Sequence, residues 1–168
     1  MAGKSTVAAK LGKCLQREVI ELDKIHRLSK EINCRTLTES DQKELAKKWT
    51  LSLAEELCDK GEPCIIEGGW IYPKDASLLE TQKDFKAIFC GFNSCAIDDR
   101  ITILKASEHW LAKKTEEYQR EFLTRQVADS RENEKNCKKL GLSYSDFTTQ
   151  EIGVNEVLSV FDCVTTTS

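Results

Sequence analysis

What the sequence lacks narrows the field first. No apolar run approaches the roughly 20 residues of a membrane span, so a bilayer-crossing chain is not expected. The opening residues carry no signal-peptide pattern. Basic charge is not in excess. There are 25 Lys and Arg against 28 Asp and Glu, a net charge of −3, so there is no global positive field of the kind nucleic acid selects. Histidine is scarce, with only His26 and His109, far apart. A histidine-based metal site is not expected, and each reads as a surface or internally satisfied residue. Internal repeats, low-complexity segments and linkers are missing too. The eight cysteines include no C-x-x-C pair, a scatter that fits neither a zinc site nor a small disulfide scaffold. They read as reduced thiols in a reducing, cytoplasmic compartment.

What is present is an alternating pattern in 168 residues, 40% of them hydrophobic and 32% charged. That suits one domain, 1–168, with a proper core. Val7, Ala8, Leu11, Cys14 and Leu15 recur at three and four, predicting a helix over 4–17. Residues 18–22 read as a short strand ending at Asp23, followed by a helix-like stretch with Ile25, Leu28 and Ile32. A long helix is expected over 39–60, capped by Thr38 or Ser40, with Leu45, Trp49, Leu53 and Leu57 stepping by four. Gly61 and Pro63 close it. Cys64–Ile71 is an apolar strand ending in Glu67, Gly68 and Gly69. A helix over 73–82, a strand over 85–92 and a helix over 95–112 follow. Residues 115–140 form a charge-dense helical region that Gly141 stops. A strand at 142–148 and a closing helix complete the chain. Alternation of this kind implies a mostly parallel sheet covered on both faces.

The chemistry begins at Gly3-Lys4-Ser5-Thr6. This is the back half of a phosphate-binding loop, G-x-x-x-x-G-K-[ST]. In such a loop backbone N–H groups and a helix N-terminus face phosphate oxygens, Lys reaches the β/γ-phosphates, and Ser or Thr binds Mg²⁺. In open α/β sheets ligands gather at the carboxyl ends of strands, and two of the expected strands end in an acid, Asp23 and Glu67. Trp70 and Tyr72, just beyond the glycine pair, read equally as pocket lining and as core.

Taken together, Gly3-Lys4-Ser5-Thr6, the 20–27 segment IELDKIHR, the 65–71 segment IIEGGWI, the Arg-bearing 115–140 region and the 141–148 segment GLSYSDFT resemble the nucleoside-monophosphate-kinase-like branch of P-loop kinases. Adenylate, shikimate and gluconate kinases belong to that branch. The resemblance implies a three-layer α/β/α P-loop NTPase fold with a helical lid at 115–140. It implies an ATP-dependent kinase that moves the γ-phosphoryl group to a hydroxyl or phosphate of a small-molecule acceptor, with Mg²⁺. Gly3, Lys4, Ser5 and Thr6 would bind nucleotide, and Ser5 would hold the metal. Asp23 would face the acceptor or metal and serve as base. Glu67, Gly68 and Gly69 would meet the acceptor or orient Mg²⁺. Arg120 and Arg125, and less directly Arg131, would be the lid's cationic fingers, although Glu116, Glu117, Glu121 and Glu132 around them also suit a solvated, ion-paired face. Asp146 to Thr148 would lie near adenine.

In that family the first strand lies centrally, between the strands expected at 64–67 and 85–90. Only two residues precede Gly3. Losing the strand is expected to expose two edges and open a slot. At about 1 kcal/mol per backbone hydrogen bond and about 1.5–3 kcal/mol per buried large apolar side chain, the loss rivals the roughly 5–15 kcal/mol stability of a domain. The expectation is a shortened gene product that folds poorly and binds nucleotide weakly. The alternatives are a degenerate, non-catalytic nucleotide-binding protein and an interaction helix carried by 115–140.

Overall fold

The computed structural model describes residues 3–24, 38–106, 109–147 and 149–163. The expected helix around Ile25, Leu28 and Ile32, together with His26, Cys34, Thr148 and the tail at 165–168, lies outside them. In chain order the elements are α1 (Lys4–Leu15), β1 (Glu18–Glu21), α2 (Glu39–Lys60), β2 (Cys64–Glu67), α3 (Pro73–Gln82), β3 (Ile88–Gly91), α4 (Ile97–Lys105), a 3₁₀ turn (Trp110–Lys113), α5 (Glu116–Leu140), β4 (Ser143–Asp146) and α6 (Gln150–Val160). Among the described residues no helix is long and apolar enough to cross a membrane.

The helices form where periodicity and capping agree. On α1 the stripe of Val7, Ala8 and Leu11 is buried. At the start of α2 the Thr38 hydroxyl accepts from the Asp41 amide at 3.2 Å, and the Thr38 amide donates back to Asp41 Oδ2 at 3.3 Å. This reciprocal box satisfies two end donors. The buried line of α2 differs from the expected one. Ala46, Thr50 and Ala54 face the core, while Trp49 is 52% exposed. Small side chains let the helix backbone approach its neighbours, and Thr50 discharges its hydroxyl onto the Ala46 carbonyl at 2.8 Å. The larger Leu45, Leu53 and Leu57 flank that line, half-buried.

The helix expected over 95–112 is two pieces. α4 stops at Lys105, and a 3₁₀ turn restarts at Trp110. His109 begins that turn by accepting the Leu111 amide on Nδ1 at 3.1 Å. Leu111 is thereby carried into the cluster of Phe92, Ile101, Leu104, Leu123 and Val127. The apolar spacing spans the break, which is why it reads as continuous. Burial pushes the His109 pKa down, in keeping with a neutral ring that accepts a hydrogen bond.

Both strand pairings are parallel. β1 runs beside β2 with Glu18 opposite Cys64 and Glu21 opposite Glu67. β3 runs beside β4 with Ile88 opposite Ser143 and Gly91 opposite Asp146. The pairs are separate two-stranded sheets, and β2 is not bonded to β3. Ile65, Ile66, Ile88 and Phe89 are only half-buried, whereas strands of a fully covered parallel sheet bury such residues. Between the pairs lies a cavity of about 610 Å³, walled by β2 and β3 and by Val7 and Leu11 of α1.

One cysteine reading needs correcting. Cys14 and Cys163 form a disulfide with Cα atoms 6.1 Å apart. Val7 and Leu11 of α1 share a core cluster with Val154, Val157 and Leu158 of α6. That packing brings the far end of α1 to the end of α6, and cysteine spacing does not encode such a meeting. Cys58, Cys64, Cys90, Cys95 and Cys137 are free thiols.

Candidate functional site

The register of β1 on β2 makes both strands end together, with Glu21 beside Glu67. After Glu21 the chain turns into a helical segment at 22–24, with Leu22 buried and Asp23 exposed. Leu22 explains the first glycine after β2. A Cβ on Gly68 would lie 2.8 Å from the Leu22 Cβ, so any side chain there would push the two connections apart. Gly68 therefore permits close packing on Leu22, and it also lines the slot between β2 and β3. Gly69 meets nothing within 4 Å of a built Cβ and lines open space.

Against this end of β2 sits the start of α1. Its N-cap is Gly3, in the left-handed region at φ 64°, with no side-chain cap and no acid in the first turn. The other described α-helices are treated differently. Thr38, Thr115 and Thr149 cap α2, α5 and α6, and α3 and α4 carry Asp75 and Asp98 in their first turns. The first N–H groups of a helix have no partner within it and carry the positive end of the helix dipole. At α1 alone among these, neither a side-chain cap nor an acid answers that charge.

Lys4 is the first residue of α1. Its Nζ lies 3.6 Å from Glu67 Oε1. The Glu67 side chain is 6% exposed, and Oε1 has no hydrogen-bond partner. A buried carboxylate oxygen at that distance from an ammonium has charge compensation but an open bonding position. Cys90, near the end of β3, feels both charges. Burial pushes its thiol up to about 12, with Lys4 pulling the other way. It stays a protonated, non-nucleophilic wall. Sequence reasoning missed Cys90, and a strand-like run of small apolar residues carries no signal for it.

Lys4, Gly69, Tyr72 and Cys90 border a second cavity of about 880 Å³, and the same four also line the slot between β2 and β3. The far wall of the larger cavity is the second half of α5, including Gln126, Ser130, Asn133 and Asn136. Trp70 lines neither space.

Other expected site residues go elsewhere. Arg120 is exposed and held by Asp98 at 2.7 Å and Glu116 at 3.0 Å. Arg125 is exposed, 3.9 Å from Glu121. Arg131 donates to the Asn93 carbonyl at 3.2 Å. None of the three lines either cavity. Asp23 also lines neither, although it follows the strand end that carries Glu21 beside Glu67. Asp146 accepts the Asn93 amide at 3.0 Å and the Ser94 hydroxyl, and Arg100 takes the Phe147 carbonyl at 2.7 Å. Those groups hold the loop after β3. Ser5 and Thr6 lie exposed on the first turn of α1.

An uncapped helix start, a lysine and strand ends around one cavity agree with the outcome of comparison. A family model described as AAA domain matches residues 2–134. The chain belongs to the AAA domain family. Membership makes this a P-loop, kinase-like nucleotide-binding domain. No curated protein and no solved structure matches the chain. The matched span of the AAA domain takes in Lys4, β1 to β3 and most of α5, and stops short of β4 and α6.

The Mg²⁺ that the P-loop resemblance implies would need oxygen donors, and Ser5, exposed on the first turn of α1, lines neither cavity. Mg²⁺ prefers oxygen and is commonly held by one or two protein groups together with substrate phosphates and water. The unbonded Glu67 Oε1 and the Ser5 hydroxyl are oxygens of that kind. No three His, Cys, Asp or Glu groups converge among the described residues.

Proposed function

We propose that the chain binds Mg·ATP at the start of α1 and transfers the γ-phosphoryl group to a small acceptor in the 880 Å³ cavity. One observation carries this reading. The helix start left without cap or acid is the one that bears Lys4, and Lys4 opens onto that cavity beside a buried carboxylate with a free oxygen. The amides of Lys4, Ser5 and Thr6 would receive phosphate oxygens. Lys4 would exchange part of its pairing with Glu67 for the β/γ-phosphates, and Mg²⁺, held by Ser5 and Glu67, would neutralise charge on the transferring group. The chain's own contribution is positioning and fixed charge. The cavity between β2 and β3 separates the two strand pairs, and joining them into one sheet would complete a three-layer domain.

A second reading has an observation of its own. Arg120 and Arg125 are occupied by acids and stand away from both cavities. A nucleotide-binding protein without phosphoryl transfer would look the same there. Turnover of radiolabelled ATP by the wild type and by Lys4→Ala, with a panel of acceptors, separates the two. The kinase reading expects label on an acceptor and a loss of about 10²–10³-fold in Lys4→Ala, the range seen when one fixed charge-stabilising group is removed. ATP binding with no transfer to any acceptor favours the second reading.

A further inference from the structure

The polar half of α5 has a feature that its charge density conceals in the sequence. Gln126, Asn133 and Asn136 are half-buried on one helix face and line the 880 Å³ cavity. None of their side-chain amides bonds to a described residue. Residues at i, i+7 and i+10 fall within about 80° of one another around a helix, on one side of it. The three amides thus form a row along the wall. Opposite them Tyr72 presents a ring that is 47% exposed, steadied by Lys47 Nζ at 5.6 Å from its centroid. Lys47 is itself anchored to Asp75 at 3.1 Å.

The charge around this row is balanced. Apart from Lys4, the Lys, Asp and Glu side chains of the lining are Lys74 and Lys139 against Asp129 and Glu132, and no arginine is among the lining residues. Recognition of a phosphate-bearing acceptor calls for a cluster of cations, above all arginine forks. A row of carboxamides offers something else. Each provides two N–H donors and a carbonyl acceptor, which matches hydroxyl groups that both donate and accept. An aromatic face across from them suits the apolar face of a sugar ring.

We infer that the acceptor cavity takes a neutral, hydroxyl-rich molecule, a sugar or polyol, read by Gln126, Asn133 and Asn136 of α5 and by the Tyr72 ring. This rests on the kinase reading for its chemistry but not for its binding. The test is direct binding without nucleotide, by saturation-transfer NMR and calorimetric titration of the full chain. The probes are glucose, ribose and myo-inositol, with AMP and dTMP as phosphate-bearing competitors. ATP binding is measured in parallel on the same samples. At least one hydroxyl-rich probe should bind tighter than either monophosphate. The double variant Gln126→Ala/Asn136→Ala should weaken it tenfold or more, while ATP affinity stays within about twofold. Alanine favours helix, and a melting curve checks that the variant is folded. Arg125→Ala, outside the cavity, should change nothing. Tighter binding of AMP or dTMP overturns the inference and leaves the kinase reading standing. So does an unchanged double variant, or binding of no probe by a chain that still binds ATP. A chain that binds sugar but not ATP keeps this inference and sinks the kinase reading.

Discussion

Two helices of this domain begin in opposite ways. α5 starts behind Thr115, whose hydroxyl accepts the Tyr118 amide at 3.3 Å, and its first turn holds Glu116 and Glu117. Lys105 and Arg120 in turn engage Glu116 and hold its carboxyl below the usual range. The Thr115 cap and the Glu116 ion pairs answer that end from within the chain. α1 starts behind Gly3 with no cap and no acid, and its first residue opens onto a cavity. Folding alone would favour the first arrangement at both places, since a cap contributes about 1 kcal/mol. The second arrangement leaves donors and positive potential for something that arrives from outside. The lesson is that the site is best found by asking which helix end is left unfinished.

The largest effect on stability is expected at the other end of α1. Breaking the Cys14–Cys163 bond frees α1 from the end of α6 across a sequence separation of 149. Cys14→Ser should cost about 2–4 kcal/mol and lower the melting temperature by about 5–15 °C, as calorimetry with and without reductant would show. An unchanged melting point would mean that packing of α1 on α6 suffices.

Next comes a substitution that makes α1 resemble α5. Ser5→Asp places an acid in the first turn of α1. It should raise stability by about 0.3–1 kcal/mol and weaken ATP binding about tenfold or more. Tighter ATP binding in Ser5→Asp would mean that the end does not receive phosphate. The reciprocal change, Thr115→Ala, removes the α5 cap. It should cost about 1 kcal/mol in denaturant unfolding and leave nucleotide affinity untouched. The smallest effect is expected for Arg120→Ala with Arg125→Ala. Exposed ion pairs contribute about 0–1 kcal/mol, and turnover should stay within about threefold. A loss of a hundredfold or more would show that the lid arginines reach the transferring phosphate after all.

The sequence made some of this legible and hid the rest for physical reasons. One helix start and two stops were readable, because Thr38, Gly61 and Gly141 act locally. Lys4 was singled out from three adjacent residues, and the structure places it at the start of α1 beside Glu67. The break at residue 106 was not, because Leu104 and Leu111 keep helical spacing across it. The buried line of α2 was misplaced by one position, because Ala46, Thr50 and Ala54 win their place by smallness rather than by apolar bulk. Gly68 and Gly69 look alike in sequence and both line the slot between β2 and β3, yet only Gly68 is crowded by Leu22. The amide row of α5 sits among charges and looks like a solvated face until α5 is laid against α3. The disulfide needed the packing of α1 on α6 before its two cysteines could be seen as neighbours.

The account stands on phosphate recognition at the start of α1, and calorimetric titration of the wild type and Lys4→Ala with ATP and with adenosine tests it most directly. The account predicts that the wild type binds Mg·ATP at least about tenfold tighter than adenosine, and that the difference collapses in Lys4→Ala, a melting curve checking that the variant is folded although it loses the partner of the buried Glu67. Equal affinities for ATP and adenosine in the wild type, or a preference for ATP that survives in Lys4→Ala, would contradict it.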